Sequence, residues 1–199
     1  MSPMHEPVAR YFDKQFQVEA AKLLPGQYHA AADDILIVTV LGSCVSACLW
    51  DPLRRIGGMN HFMLPGATRS AAAPSATLGV YAMEVLINRL LKLGAERGRL
   101  QAKLFGGASV LEGMDALNIG TQNAGFALEF LAEERIPVVA QDLYDVCPRK
   151  VYFYPVTGKV LVKRLEVLRN DTLERREREY RARLALGQAG EVEIFGGPQ

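Results

Sequence analysis

Ile35-Leu36-Ile37-Val38-Thr39-Val40-Leu41-Gly42-Ser43-Cys44-Val45-Ser46-Ala47-Cys48-Leu49-Trp50 is an apolar run broken near its middle. Residues 35–41 are β-branched or aliphatic throughout, the composition of a buried strand. Gly42 and Ser43 interrupt it. Beyond them Val45, Ala47 and Leu49 alternate with Cys44, Ser46, Cys48 and Trp50, a second strand that ends at Asp51-Pro52. Two strands joined by a tight Gly-Ser bend set a β-sheet at the centre of the fold.

Working outward, residues 56–64 form a third strand that carries His61 and stops at Pro65-Gly66. Upstream, Leu24-Pro25-Gly26 marks a turn, and residues 1–20 read as a polar lead-in in which Pro3 and Pro7 discourage early regular structure. Downstream, residues 66–77 are rich in Ala, Ser and Pro and read as a flexible loop. Val80, Met83, Ile87 and Leu90 then repeat at helical spacing, with Glu84, Asn88 and Lys92 opposite and Gly94 as the stop. Residues 102–105 read as a short strand entering Gly106-Gly107. Thr121 caps a second helix through Arg135, with Ala124, Leu128 and Leu131 inward. Residues 137–140 are strand-like, and residues 151–154 and 160–163 pair as a hairpin around Thr157-Gly158. Residues 172–186 are charge-dense and read as an exposed helix, with 191–195 as a terminal extended piece. The pattern predicts an α+β fold: a mixed β-sheet core with a few flanking helices. The 199 residues suit a single domain, with 1–20 as an N-terminal extension and 172–199 as a charged C-terminal tail.

Composition excludes several classes. Lys and Arg total 23 against 22 Asp and Glu, so bulk charge points to no nucleic-acid partner. No apolar run approaches the ~18 residues that span a bilayer, and the N-terminus lacks the apolar core of a signal peptide; the expectation is a cytoplasmic protein without membrane insertion. Three cysteines, Cys44, Cys48 and Cys147, argue against a disulfide framework. On one strand face Cys44 and Cys48 stand ~13 Å apart, too far for a disulfide or a shared metal ion. His5, His29 and His61 show no zinc-type pairing with them, so no metal site is expected.

Chemistry concentrates at the bend. A cysteine directly after Gly-Ser, where a strand breaks, sits with little crowding, and glycine lets backbone approach a substrate carbonyl closely. The N–H groups of Gly42 and Ser43 are candidates to face a developing oxyanion. The thiol needs a base to become nucleophilic at neutral pH, and His61, on the next strand, is the candidate. A cysteine in an apolar strand is more often a small core residue, and a lone histidine more often structural, so the residues alone leave both readings open. Phe105-Gly106-Gly107-Ala108-Ser109 lacks the lysine and spacing of a phosphate loop. Asp142 and Asp145 read as a solvated loop before a carboxylate pair.

Tyr11-Phe12-Asp13, Leu24-Pro25-Gly26-Gln27-Tyr28, Thr39-Val40-Leu41-Gly42-Ser43-Cys44-Val45, Gly57-Gly58-Met59-Asn60-His61-Phe62-Met63-Leu64-Pro65 and Lys103-Leu104-Phe105-Gly106-Gly107-Ala108 form a longer pattern. With Asn118-Ile119-Gly120, Asn123, Pro148-Arg149-Lys150-Val151, Pro155 and Gly158-Lys159-Val160, it resembles the CheD family of chemoreceptor glutamine deamidases across residues 11–165. The resemblance implies that Cys44 is the nucleophile, His61 the base and Thr39 the third member of the triad. It implies hydrolysis of receptor glutamine to glutamate and ammonia through a thioester, or of a glutamate methyl ester through the same intermediate, without a cofactor. It implies the fold of the catalytic domain of cytotoxic necrotizing toxins. The partners it implies are the cytoplasmic part of chemoreceptors and a CheC-type phosphatase, and a role confined to stimulating that phosphatase is the rival reading. The chain departs from the pattern at Leu143-Tyr144-Asp145, where many members carry Gly-Gly after the aspartate.

Overall fold

The computed structural model describes residues 8–64, 74–109, 114–165 and 171–188. In chain order it contains β1 (Ala9–Asp13), β2 (Val18–Lys22), β3 (Tyr28–Ala31), β4 (Leu36–Leu41), β5 (Val45–Asp51) and β6 (Ile56–Asn60). Then follow α1 (Pro74–Lys92), β7 (Gln101–Gly106), α2 (Met114–Glu133), β8 (Val138–Leu143), β9 (Arg149–Tyr154), β10 (Lys159–Arg164) and α3 (Asp171–Gln188). This is an α+β fold.

The strands form two mixed sheets, ordered β1-β2-β4-β9-β10 and β3-β6-β5-β7-β8. Each holds one parallel pair, β2 with β4 and β7 with β8. The sheets pack face to face: Ile37, Leu41, Val151 and Phe153 of the first meet Cys48, Trp50, Met59 and Phe105 of the second. The second sheet's other face carries Val45, Ala47, Leu49 and Leu104 against Met83, Leu86, Ile87 and Leu90 of α1 and Ala124, Ala127 and Leu131 of α2. Lying between two apolar layers, β5 is buried at every position. That explains why polar and apolar residues alternate there without any of them meeting water. Each large aliphatic side chain removed from water in these layers contributes ~1.5–3 kcal/mol.

The bend at Gly42-Ser43-Cys44 does more than join neighbouring strands. β4 lies in the first sheet and β5 in the second, so the chain crosses between layers at this point.

Several expectations are corrected. The lead-in of residues 1–20 is not irregular from residue 9 onward: β1 and β2 pair antiparallel from Ala9↔Lys22 to Asp13↔Val18 and form the edge of the first sheet. Polar composition there reflects an edge whose β1 is mostly exposed. Val80 is 40% exposed, and Leu86 takes its place on the buried stripe of α1. Of the expected loop at 66–77, residues 74–77 are the first turn of α1 and 66–73 lie outside the described residues. Thr121 is no cap, because α2 begins at Met114. Gly120 instead lets the helix touch the Gly107 carbonyl, where a Cβ would stand at 2.5 Å. The extended piece expected at 191–195 also lies outside the described residues. Gly94, at φ +104, does terminate α1, and β9 and β10 form the expected hairpin.

Candidate active site

Sheet pairing brings the two chemical residues together. Val45 and Phe62 exchange both backbone hydrogen bonds, N–H to O at 2.9 Å each way, extending the β5–β6 ladder past its strand ends. This register sets Cys44 opposite Met63 and His61 opposite Ser46. Cys44 and His61 are therefore diagonal neighbours on one face, ~7–8 Å apart in backbone terms. That face looks into the space between the sheets, toward Thr39 of β4.

His61 is oriented from both ends. Its backbone is clamped by the turn at Leu24-Pro25-Gly26-Gln27: Gly26 N–H donates to the His61 carbonyl at 2.7 Å, and His61 N–H donates to the Gln27 carbonyl at 2.9 Å. Its ring Nδ1 lies 2.8 Å from Thr39 Oγ1, while the Thr39 hydroxyl donates to the Leu23 carbonyl at 3.0 Å. With the hydroxyl proton committed to Leu23, Nδ1 must be the donor to Thr39. The unprotonated nitrogen is then Nε2, which is buried without a hydrogen-bond partner among the described residues. An imidazole held in the Nδ1–H tautomer, with its basic nitrogen unengaged, is the arrangement a general base requires.

Burial, opposed only by the Leu23 carbonyl, holds the His61 pKa down to about 3. The sign of the consequence follows from proton counting. Below the unfolded value of 6.5 the unfolded chain takes up a proton that the folded chain refuses, so stability falls as pH drops. Between about pH 6.5 and 5, where the carboxylates stay charged, the loss approaches ~1.4 kcal/mol per pH unit. Urea midpoints measured across this window should slope for the wild type and flatten for His61→Gln; equal slopes would show that His61 is not held neutral.

Three elements shape the bend that holds Cys44. Gly107 N–H donates to the Cys44 carbonyl and Ala108 N–H to the Gly42 carbonyl, both at 2.8 Å. Gly106, at φ +111, comes so close that a Cβ would sit 2.1 Å from the Cys44 oxygen. The Gly-Gly pair that fails as a phosphate loop is thus the backing of the bend. Asn123, fully buried on α2, donates Nδ2–H to the Ser43 carbonyl at 2.9 Å and accepts from Leu64 N–H at 2.8 Å. Arg149, also fully buried, caps the carbonyls of Gly106, Asp142 and Tyr144. Tyr144 and Asp145 adopt φ +66 and +75, a conformation that glycine enters freely. Asp145 holds Arg164 at 3.1 Å and Asp142 holds it likewise, so this loop is an ion-paired brace remote from carboxylate chemistry.

The feature with no sequence signal is Glu177 of α3. Its carboxylate accepts from Gly42 N–H at 3.1 Å, from Ser43 N–H at 3.3 Å and from the Ser43 hydroxyl at 2.6 Å. The donors expected to face an oxyanion thus already face an anion. Burial, then the charge of Glu177, then a hydrogen bond to that carboxylate push the Cys44 thiol well above its ordinary pKa. Residues 172–186 were expected to form an exposed helix. The helix is present, but Glu177 is buried, because its side chain reaches past its own helix into the bend. Beside His61 opens a cleft of about 620 Å³, lined by the turn at Leu24–Tyr28, by Tyr81 and Val85 of α1 and by Tyr180 and Arg183 of α3.

Cys48 answers to the core reading: it is fully buried among Met59, Phe105 and Trp50, and burial raises its pKa. All three thiols are free. Among the described residues no three His, Cys, Asp or Glu side chains converge as metal ligands would.

The family described as CheD chemotactic sensory transduction matches residues 63–164. Relatives extend the likeness over nearly the whole chain. A protein of Methylobacillus flagellatus named "Probable chemoreceptor glutamine deamidase CheD" is 55% identical over 201 residues, 98% of this chain and 99% of the relative. "Probable chemoreceptor glutamine deamidase CheD 1" of Dechloromonas aromatica is 55% identical over 193 residues, 96% of each. The protein of that name from Shewanella oneidensis is 52% identical over 197 residues, 97% of this chain and 95% of the relative.

Proposed function

The chain belongs to the CheD family, and we propose on that premise that it deamidates glutamine side chains of chemoreceptors, with Cys44 as nucleophile and His61 as base. The observation that carries the reading is the Thr39–His61 bond of 2.8 Å, which leaves Nε2 as the basic nitrogen on the face shared with Cys44.

The reaction then runs in two halves. The Cys44 thiol passes its proton to His61 Nε2, and the sulfur attacks the carboxamide carbon. The carbonyl oxygen gains the negative charge and is met by the N–H groups of Gly42 and Ser43. His61 returns the proton to the amide nitrogen, the C–N bond breaks, ammonia leaves and a thioester remains. In the second half Nε2 takes a proton from water, the hydroxide adds to the thioester carbon, and the C–S bond breaks to give glutamate and the restored thiol. Thr39 positions the ring throughout, and both reacting groups are side chains of this chain.

No described helix is long and apolar enough to cross a membrane. The reading places the chain in the cytoplasm with the receptors' signalling segments, and a CheC-type phosphatase is the further partner it suggests. Mass spectrometry of a receptor cytoplasmic fragment after incubation with the protein tests the function. The expected result is the mass gain of Gln→Glu at discrete sites, and a fragment left unchanged by wild-type protein would overturn the reading.

A further inference from the structure

Helix α3 is charged and exposed at Arg175, Arg176, Arg178 and Glu179, yet Glu177 among them is 1% exposed. Removing a carboxylate from water is costly unless other donors replace the lost hydration. Here the donors are the Gly42 and Ser43 N–H groups and the Ser43 hydroxyl. The deamidation mechanism assigns the two N–H groups to the oxygen of the reacting group, beside the Cys44 sulfur that attacks its carbon. A glutamate side chain projecting from a helix, with its carboxylate in that position, has the chemistry of the reaction's product.

The neighbouring turn of α3 completes the fit. Tyr180 lies over Gly26, where a Cβ would come within 2.7 Å of its hydroxyl oxygen, so the turn that clamps His61 is also the seat of this ring. Arg183 and Leu184 continue the wall of the cleft beside His61. With α3 in place Cys44 is fully buried.

Resting on the deamidase reading of Cys44, we propose that α3 is a product mimic in cis. It occupies the path along which a receptor segment enters, with Glu177 standing where the newly formed glutamate stands, and the receptor gains the site by displacing it. The same geometry makes residue 177 a substrate position. A glutamine there is attacked by Cys44, loses ammonia and, after hydrolysis of the thioester, becomes glutamate. The thiol's behaviour agrees: burial and then the Glu177 charge raise its pKa, and both are relieved when α3 leaves, so the nucleophile is released by the event that admits the substrate.

Three full-length variants test this. In Glu177→Gln, tandem mass spectrometry of a peptide spanning residue 177 should find glutamate, whereas in Cys44→Ala/Glu177→Gln it should find glutamine. In Glu177→Ala, with folding verified by its thermal transition, receptor-fragment deamidation and iodoacetamide labelling of Cys44 should both rise, on the order of tenfold, as the competent population grows. Glutamine persisting at 177 in a chain that still deamidates the receptor overturns the proposal, as does a slower reaction in Glu177→Ala, which would make Glu177 part of the chemistry. Wild type, Glu177→Gln and Glu177→Ala all leaving the receptor unchanged would instead overturn the deamidase reading beneath it.

Discussion

Cys44→Ala removes deamidation of the receptor fragment, lowering the rate by ~10³-fold or more, because a covalent mechanism has no substitute for its nucleophile. Replacing Cys48 or Cys147 leaves most of the activity, since Cys48 is packed in the core and the mechanism gives Cys147 no role. The variant should fold. The thiol is small, and Gly42 and Ser43 still hold Glu177 without it. A docking partner needs ~800 Å² per side, far more than one thiol supplies, so binding to a CheC-type phosphatase should survive wherever that interaction exists. Mass spectrometry reports the first outcome and calorimetry the second. Activity that persists in Cys44→Ala sinks the mechanism, and binding lost from a folded variant would make Cys44 part of an interface.

His61→Ala lowers the rate by ~10²–10⁴-fold, the range for a general base. Thr39→Ala costs less. It removes the acceptor that holds Nδ1–H at 2.8 Å and so loosens the tautomer, while Nε2 still exchanges the proton. The split between the two variants is the informative measurement. If Thr39 only positions the ring, its variant keeps a pH profile of normal shape at reduced height, whereas His61→Ala loses the limb that reports the base. Iodoacetamide labelling of Cys44 at pH 7 gives an independent check: equal rates with and without His61 would show that the histidine does not activate the thiol.

Much of this was legible from composition and spacing. The run at 35–50 predicts two buried strands with a bend between them, because β-branched residues and strict alternation have few other uses. Gly42-Ser43-Cys44 marks the bend as chemical ground, and His61, one residue past β6, returns beside it because β5 and β6 form a hairpin. These are local properties, set by residues close in sequence. The resemblance to CheD rests on the same motifs, which is why it named Cys44, His61 and Thr39 together.

The rest was decided by the tertiary structure. Nothing local says that β4 and β5 belong to different sheets, since a strand's composition reports burial and not its neighbours. In the edge hairpin β1 is mostly exposed and β2 buries only the small Ala20 and Ala21, which leaves no apolar alternation to read. Thr39 becomes a positioning residue only because β4 lies across the inter-sheet space from His61, and Gly106 matters because its missing Cβ lets one strand end press against another. Glu177 is the plainest case. In the sequence it is one charge in Glu174-Arg175-Arg176-Glu177-Arg178-Glu179, and helical periodicity assigns such a run to solvent. Its burial arises from contacts with Gly42 and Ser43, more than a hundred residues earlier in the chain. The sequence by itself determined the chemistry available at Cys44; only the three-dimensional packing decided what stands in front of it, because a hydrogen bond between distant segments leaves no periodic trace in either.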